Sequence, residues 1–334
     1  MYAPGTGITL VQLEDILSAR NVIQSALHRP PVVGSQTLSR QTGLDVYLKM
    51  ELFQKTGSFK PRGVLNRLSH LNIEACERGV ISLSAGNHAQ ALAWAASSRG
   101  IPSTVVMPER SVSSKVAATR AYGARVVLTS GNLLETCLQL RDDQGLVLIH
   151  PFDDEYIIAG HGTIGLEILE DVPQVEVLVV GIGGGGLISG VAAAVKRKNP
   201  AVRLIGVEPE GAPTMTRSLE KGEPVYLDRM DTIADGLAAP FVGLNNLHHV
   251  QALVDDVVTV SDKSIAAAMK LLLTRCKVLA EPAAAATVAA MLCGKVRLSP
   301  GTPVACLLSG GNVDLKMLAE LLRNPSHSPP ASQV

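Results

Sequence analysis

The sequence predicts an α/β protein of two open, mostly parallel sheets with its site between them. Three observations carry this. Apolar, β-rich runs alternate with helical patterns through most of the chain, as parallel strands joined by crossover helices require. The alternation comes in two series, one ending near Pro151 and one starting at "VEVLVVGI". The loops "SAGNH", "GIGGGG" and "SGGN" follow strands, and ligands of open α/β sheets bind beyond the carboxyl ends of strands.

In chain order, "TLVQ" (Thr9 to Gln12) has capping-box spacing before the apolar Leu13, Ile16 and Leu17, so the first helix is expected to begin there. "VISLS" (80–84) reads as a strand and "NHAQALAWAASSRG" as a helix ended by Gly100. "STVVMP" and "RVVLTS" are β-branched runs on either side of the helical "SSKVAATRAYGA"; "LLETCLQLRDDQG" and "LVLIHP" complete the first series. The second runs from "VEVLVVGI" through a helix to "VRLIGVEP", then a long Ala/Leu-rich helical region, "VACLLSGGN" and "VDLKMLAELLRN". There is no internal repeat of solenoid period, and each series is too short for an eight-fold barrel.

The 334 residues suffice for two domains, and 30 basic against 30 acidic side chains build no long-range field for nucleic acid or an anionic membrane. A small-molecule partner is expected. The five cysteines are scattered without zinc spacing and read as reduced thiols, which points to the cytoplasm. No signal peptide or apolar run of membrane-spanning length is found, and the polar, proline-rich 324–334 read as a flexible tail.

Gly181, Gly183 and Gly186 satisfy GxGxxG after a strand, with Glu208 closing the next strand where a dinucleotide fold keeps its ribose-binding acid. An NAD-binding oxidoreductase is therefore one reading. A second witness lies upstream in "KTGSFKPRG" (55–63): Gly57 permits a turn, Ser58 can cap, and Pro61 suits a first helical turn. Lys60 then sits at a helix start, where the dipole disfavours a protonated amine and partial burial would lower its pKa further. A Schiff-base nucleophile needs that environment.

"SFKPRG", "SAGNHAQ", "GGGGL" and "SGGN", in that order, resemble the fold type II (tryptophan synthase β-like) enzymes that use pyridoxal 5′-phosphate, above all the serine/threonine dehydratases, or ammonia-lyases. The resemblance extends to "HPFDD", "AGHGTIGLEI", "GVEPE" and "TIADGL". It implies a large cofactor-binding domain of residues 1–50 and 152–323, a small domain of 51–151, and a homodimer. Lys60 would carry the cofactor aldehyde as an imine and act as the base at Cα, with Phe59 near the ring. Gly183, Gly184, Gly185, Gly186 and Leu187 would hold the phosphate through backbone N–H groups. Asn87 would bond the ring's 3′-hydroxyl and Ser309 face its nitrogen, while Ser84, Ala85 and His88 would receive the substrate carboxylate. Gly236 would approach the substrate hydroxyl. The implied reaction is α,β-elimination from L-threonine or L-serine, giving a 2-oxo acid and ammonia.

Related serine racemases place a serine where this chain has Ala85, and a methyl group cannot relay a proton. Dehydratase is expected ahead of racemase or 3-hydroxyaspartate dehydratase. Glu208 and the Ala212 carbonyl match a cation site of some relatives, but Thr214 replaces its aspartate, so no metal is expected. Glu281 in "LAEPAAAA" reads equally as a helix-start acid and stays outside the expected site.

Overall fold

The computed structural model describes residues 10–323; Thr9 and the 324–334 segment lie outside them. Among the described residues ten strands form two sheets: β1 (Val32–Gly34), β2 (Asp45–Lys49), β3 (Val80–Leu83), β4 (Ser103–Pro108), β5 (Arg125–Thr129), β6 (Val147–Leu148), β7 (Val177–Gly181), β8 (Arg203–Pro209), β9 (Asp256–Val260) and β10 (Pro303–Leu307). The larger sheet has the order β1-β2-β10-β7-β8-β9 and the smaller β5-β4-β3-β6. Only the β1–β2 pair is antiparallel, so the expected pair of open, mostly parallel sheets is present.

Three strands go beyond the sequence reading: β1, β2 and β9 lie in stretches it left unassigned. The first helix, Leu13–Ile23, starts three residues later than expected. Its box is closed by Asp15, whose carboxylate accepts from the Gln12 N–H at 2.8 Å, a stronger acceptor than the Gln12 amide could offer Thr9. The Ala/Leu-rich region is two helices, Asp262–Leu271 and Pro282–Leu292, separated by a π turn at Leu272–Cys276 that ends on Lys277 at φ 61°.

Helices cover both faces of the large sheet. The alanine-rich Pro282–Leu292 packs on one face with Asp262–Leu271, and Glu155–Asp171 with Gly186–Lys198 on the other. The last two touch backbone to backbone: a Cβ at Gly190 would lie 2.2 Å from the Ile158 carbonyl oxygen. Helix Glu155–Asp171 meets helix Pro61–Ser69 equally closely, since a Cβ at Gly160 would lie 2.5 Å from the Arg62 carbonyl oxygen. The glycines of "AGHGTIGLEI" thus let one helix press against two neighbours. "HPFDD" supplies two caps: Asp154 accepts from the N–H groups of Tyr156 and Ile157, and Asp153 from those of Leu244 and Asn245.

Between these helices lies a buried ionic network. Arg62, 1 % exposed, makes a two-pronged pair with Glu51 (2.8 and 2.9 Å) and bonds Glu167 (2.7 and 2.9 Å) and Thr163. Lys49, wholly buried at the end of β2, bonds Glu167 and the Pro30 carbonyl, both at 2.6 Å. Two cations and two carboxylates therefore balance, with only the Glu167 side chain, 10% exposed, retaining some contact with water. Burial opposes ionisation of Glu167, yet Arg62 and Lys49 together outweigh it and hold the carboxyl below its ordinary value. Arg62→Met would leave Glu51 without its buried partner and cost about 3–5 kcal/mol. Urea denaturation checks this, and an unchanged midpoint would show the network to be energetically idle. A folded-state pKa depressed at Glu167 also means that its contribution is present above the unfolded value and lost as pH falls through the folded one, so the wild-type advantage over Arg62→Met shrinks in acid.

Candidate active site

Lys60 stands at the N-cap position of helix Pro61–Ser69, with Pro61 in the first turn. The preceding segment is bridged to the last glycine loop: Ser58 pairs antiparallel with Gly310, the Phe59 N–H donates to the Ser309 carbonyl at 3.0 Å, and the Gly311 N–H to that of Gly57 at 2.9 Å. Sequence-distant Lys60 and Ser309 are thereby brought together. The Lys60 Nζ donates to the Pro151 carbonyl at 2.8 Å. Burial lowers its pKa to about 8, with Glu281 opposing. Phe59 is buried beside it, its ring centroid 5.1 Å from Nζ, and meets His161 edge-on at 4.7 Å.

The glycine run joins β7 to helix Gly186–Lys198. Gly185, at φ 97°, is its N-cap residue and adopts a conformation that side chains resist. A Cβ at Gly184 would lie 2.3 Å from the Phe152 ring, and one at Gly186 2.7 Å from the Phe152 carbonyl oxygen. The Gly184 carbonyl is turned outward, accepting from Asn246 Nδ2 at 2.8 Å and from the Gly243 N–H at 3.2 Å. Among the described residues, no N–H from Gly183 to Leu187 donates to a protein acceptor. Uncommitted donors at a helix start, with side chains excluded by packing, fit a phosphate group, and the lowered amine of Lys60 fits an aldehyde.

Asn87 is the first residue of helix Asn87–Ser97, whose N-cap is Gly86. Its side chain does not cap the helix. Nδ2 donates to Glu281 Oε1 at 2.8 Å and Oδ1 accepts from Asn312 Nδ2 at 2.9 Å. Ser84, at the end of β3, accepts from the Gly86 N–H through Oγ, and Ala85 lies beside it. His88 points behind that loop: Nε2 lies 2.9 Å from Ser82 Oγ, and Nδ1 is buried with no protein partner. Burial, then the charge on Lys60, drive its pKa well below the ordinary histidine value. Gly236 sits against the loop at Gly183, where a Cβ would meet the Gly236 carbonyl at 3.1 Å.

Glu208 is buried, but its carboxylate accepts from the Met215 and Thr216 N–H groups and from Thr216 Oγ1, at 2.6–2.9 Å. It serves the first turn of helix Thr214–Lys221, while Thr214 Oγ1 donates to the Ala239 carbonyl. Among the described residues no cluster of three His, Cys, Asp or Glu could hold a metal ion.

Several residues that were given no role in the expected site stand in it. Glu281, Asn312, the Pro151 carbonyl and Asn246 all touch the expected groups. His150 and His161 lie in quoted motifs without an assigned role. Burial and then Lys60 press His150 down to about 4 and His161 well below its ordinary value. The position of Glu281, one residue before a proline that opens a helix, was the only signal available for it.

Comparison with known proteins agrees with this geometry. The family model described as pyridoxal-phosphate dependent enzyme matches residues 23–310. An L-threonine ammonia-lyase of Thermotoga maritima is 46% identical over 94% of this chain and 78% of its own length. A catabolic L-threonine dehydratase of Staphylococcus aureus is 41% identical over 94% of this chain and 93% of its own. Among solved structures, maize serine racemase superposes with a TM-score of 0.90 at 38% identity, covering 94% of this chain and 97% of that one. The T.th. threonine deaminase gives 0.86 at 40%, covering 91% and 99%. With the family model matched over most of its length and the two sheets in place, the chain belongs to the pyridoxal-phosphate dependent enzymes of fold type II, and its cofactor is pyridoxal 5′-phosphate.

Proposed function

We propose that this enzyme is an ammonia-lyase that converts L-threonine and L-serine to the 2-oxo acid and ammonia by α,β-elimination. One observation carries the choice of reaction: the cleft has an amine base at Lys60, whereas the carboxylate loop offers only the methyl group of Ala85 at the position where a second proton carrier is expected. The similarity to relatives named L-threonine ammonia-lyase and L-threonine dehydratase supports the substrate class. Bound pyridoxal phosphate supplies an aldehyde that condenses with amines and a ring that draws electrons from the adjacent carbon.

The chain's own residues do the rest. Lys60 Nζ removes the proton from Cα of the bound amino acid, the β-hydroxyl takes up a proton and leaves as water, and a water then hydrolyses the released enamine, through its imine, to the 2-oxo acid and ammonia. The N–H groups of Gly183 to Leu187 hold the phosphate, Phe59 flanks the ring, and the Ser84–His88 loop receives the substrate carboxylate, with the His88 ring turned behind it onto Ser82. Ser309 presents a hydroxyl to the ring nitrogen. A neutral donor stabilises a ring cation less than a carboxylate would, which favours rapid elimination over transamination. We assign residues 1–50 and 152–323 to a cofactor-binding domain, 51–151 to a small domain, and the active protein to a cytoplasmic homodimer. No helix among the described residues is long and apolar enough to cross a membrane.

A panel of hydroxy amino acids scored for ammonia is expected to show release from L-threonine and L-serine, with D-serine formed from L-serine far more slowly than pyruvate. Comparable rates for the two products would overturn the one-base reading. Lys60→Ala is expected to lower ammonia release by at least about 10²- to 10⁴-fold, the usual worth of a positioned base.

The free amine, not the ammonium, reacts with an aldehyde. Loading of cofactor-free protein with pyridoxal phosphate should therefore accelerate as pH rises towards about 8 and level off above it. A loading rate still climbing roughly tenfold per pH unit at about pH 9 would mean that Lys60 keeps an ordinary lysine pKa.

A further inference from the structure

Glu281 has the extended backbone of an N-cap residue before helix Pro282–Leu292 (φ −71°, ψ 161°), yet its carboxylate makes no capping bond. An acid at that position ordinarily accepts from the helix's own first-turn N–H groups. Here Oε1 accepts from Asn87 instead, and the Glu281 N–H donates to the Gly310 carbonyl at 3.1 Å. Space for this is built in, since a Cβ at Gly310 would lie 2.5 Å from Oε1. Glu281 therefore stands at the helix start, as expected, but its side chain does not cap the helix.

The polarity of the network can be followed atom by atom. The Thr56 carbonyl can only accept, and Asn312 Nδ2 donates to it at 2.7 Å. The other Nδ2 hydrogen of Asn312 goes to Asn87 Oδ1 at 2.9 Å. Asn87 must then turn its NH₂ towards Glu281, which can receive it because a carboxylate only accepts. One Asn87 N–H is spent on Glu281, and the second is left for a ligand.

We infer that Glu281 is a positioning residue: together with Asn312 it locks the Asn87 amide so that an N–H, never the carbonyl, is presented to the cofactor's ring oxygen. This rests on the reading that Asn87 faces that oxygen. A donated hydrogen bond favours the ionised ring oxygen, whereas a flipped amide would set two lone pairs against each other. Glu281 also titrates. Burial, and then the neighbouring Asp235, raise its pKa to about 7, while Asn87 and Lys115 oppose the rise. Asp235 is itself paired with Lys115, and Lys60 is the other charge that senses this carboxyl. Uptake of a proton as pH falls competes with the bond from Asn87 and loosens the lock.

The test is the visible absorption of the holoenzyme, titrated without substrate from about pH 5.5 to about 9, for wild type, Glu281→Gln, Glu281→Ala and Asn312→Asp. Glutamine keeps an acceptor oxygen but cannot ionise, so this variant should retain the wild-type high-pH spectrum and lose the spectral step near pH 7. Alanine removes the acceptor, and aspartate at 312 removes the donor to Asn87. Both should shift the spectrum at every pH and weaken pyridoxal phosphate binding by at least about tenfold, the loss of one hydrogen bond to a charged group. Near-ultraviolet circular dichroism checks folding, and the glutamine and aspartate variants decide the matter if the alanine variant does not fold. A step that persists unchanged in Glu281→Gln, or an alanine or aspartate spectrum that superposes on wild type, overturns the inference. The readout needs no turnover, so a protein that shows these shifts but releases no ammonia from threonine would refute the elimination reading alone.

Discussion

The fold holds the helix that starts at Lys60 through a guanidinium that is almost wholly buried. Arg62 lies two residues beyond Lys60 and binds Glu51 on one side and Glu167 on the other, so the turn before the lysine and the long helix behind it are tied to one planar group. A guanidinium directs its donors along fixed lines, where a hydrophobic residue of the same volume would accept many orientations. The close backbone approach at Gly160 acts on the same residue, at the Arg62 carbonyl, from the helix Glu155–Asp171. Position and orientation of the Lys60 helix are therefore set by different forces, steric contact for one and ion pairing for the other.

Backbone strain is concentrated at the same place. Among the described residues only Thr56 and Lys277 take positive φ without being glycine. Each stands four residues before a side chain of the site, Lys60 in one case and Glu281 in the other. Thr56 aims its carbonyl at Asn312. Lys277 ends the π turn that separates the two alanine-rich helices and lets the chain reach Gly310 through the Glu281 N–H. Strain of this kind persists only where surrounding contacts over-determine the backbone; at Thr56 the Asn312 bond is such a contact, while exposed Lys277 is held by its own turn, through Leu272 and Thr274.

What could be read in the sequence, and what could not, divides along physical lines. Lys60, the glycine run and the strand-helix alternation depend on local chemistry: a helix start, a missing side chain, a hydrophobic period. The roles expected of Asn87 and Ser309 came from the order of four motifs, and nothing local reveals that Asn87 bonds Glu281 rather than its own helix. Strand β2 was hidden because "DVYLK" ends in a lysine, which composition assigns to the surface. Lys49 is buried only because Glu167 and the Pro30 carbonyl satisfy its ammonium. Arg62 was concealed in the same way, and its partners lie far off in the chain. Edge strands β1 and β9 are short or half-buried and carry too little pattern to detect.

The electrostatics of the cleft follow from that burial. His88, His150 and His161 all feel the charge on Lys60, and in each case desolvation acts first and the lysine second to keep the ring neutral. A ring that is neutral well below pH 7 cannot compete with the lysine for a proton. Glu281 is pushed the opposite way, up to about 7, which leaves it and Lys60, at about 8, as the groups at the centre of the site that change charge near neutrality. Each favours the charged form of the other, carboxylate with ammonium, so deprotonating the amine and protonating the acid are linked. The histidines thus contribute by staying uncharged, and the acid–base behaviour of the cleft is confined to one amine and one carboxyl, held by the 56–62 and 277–281 segments.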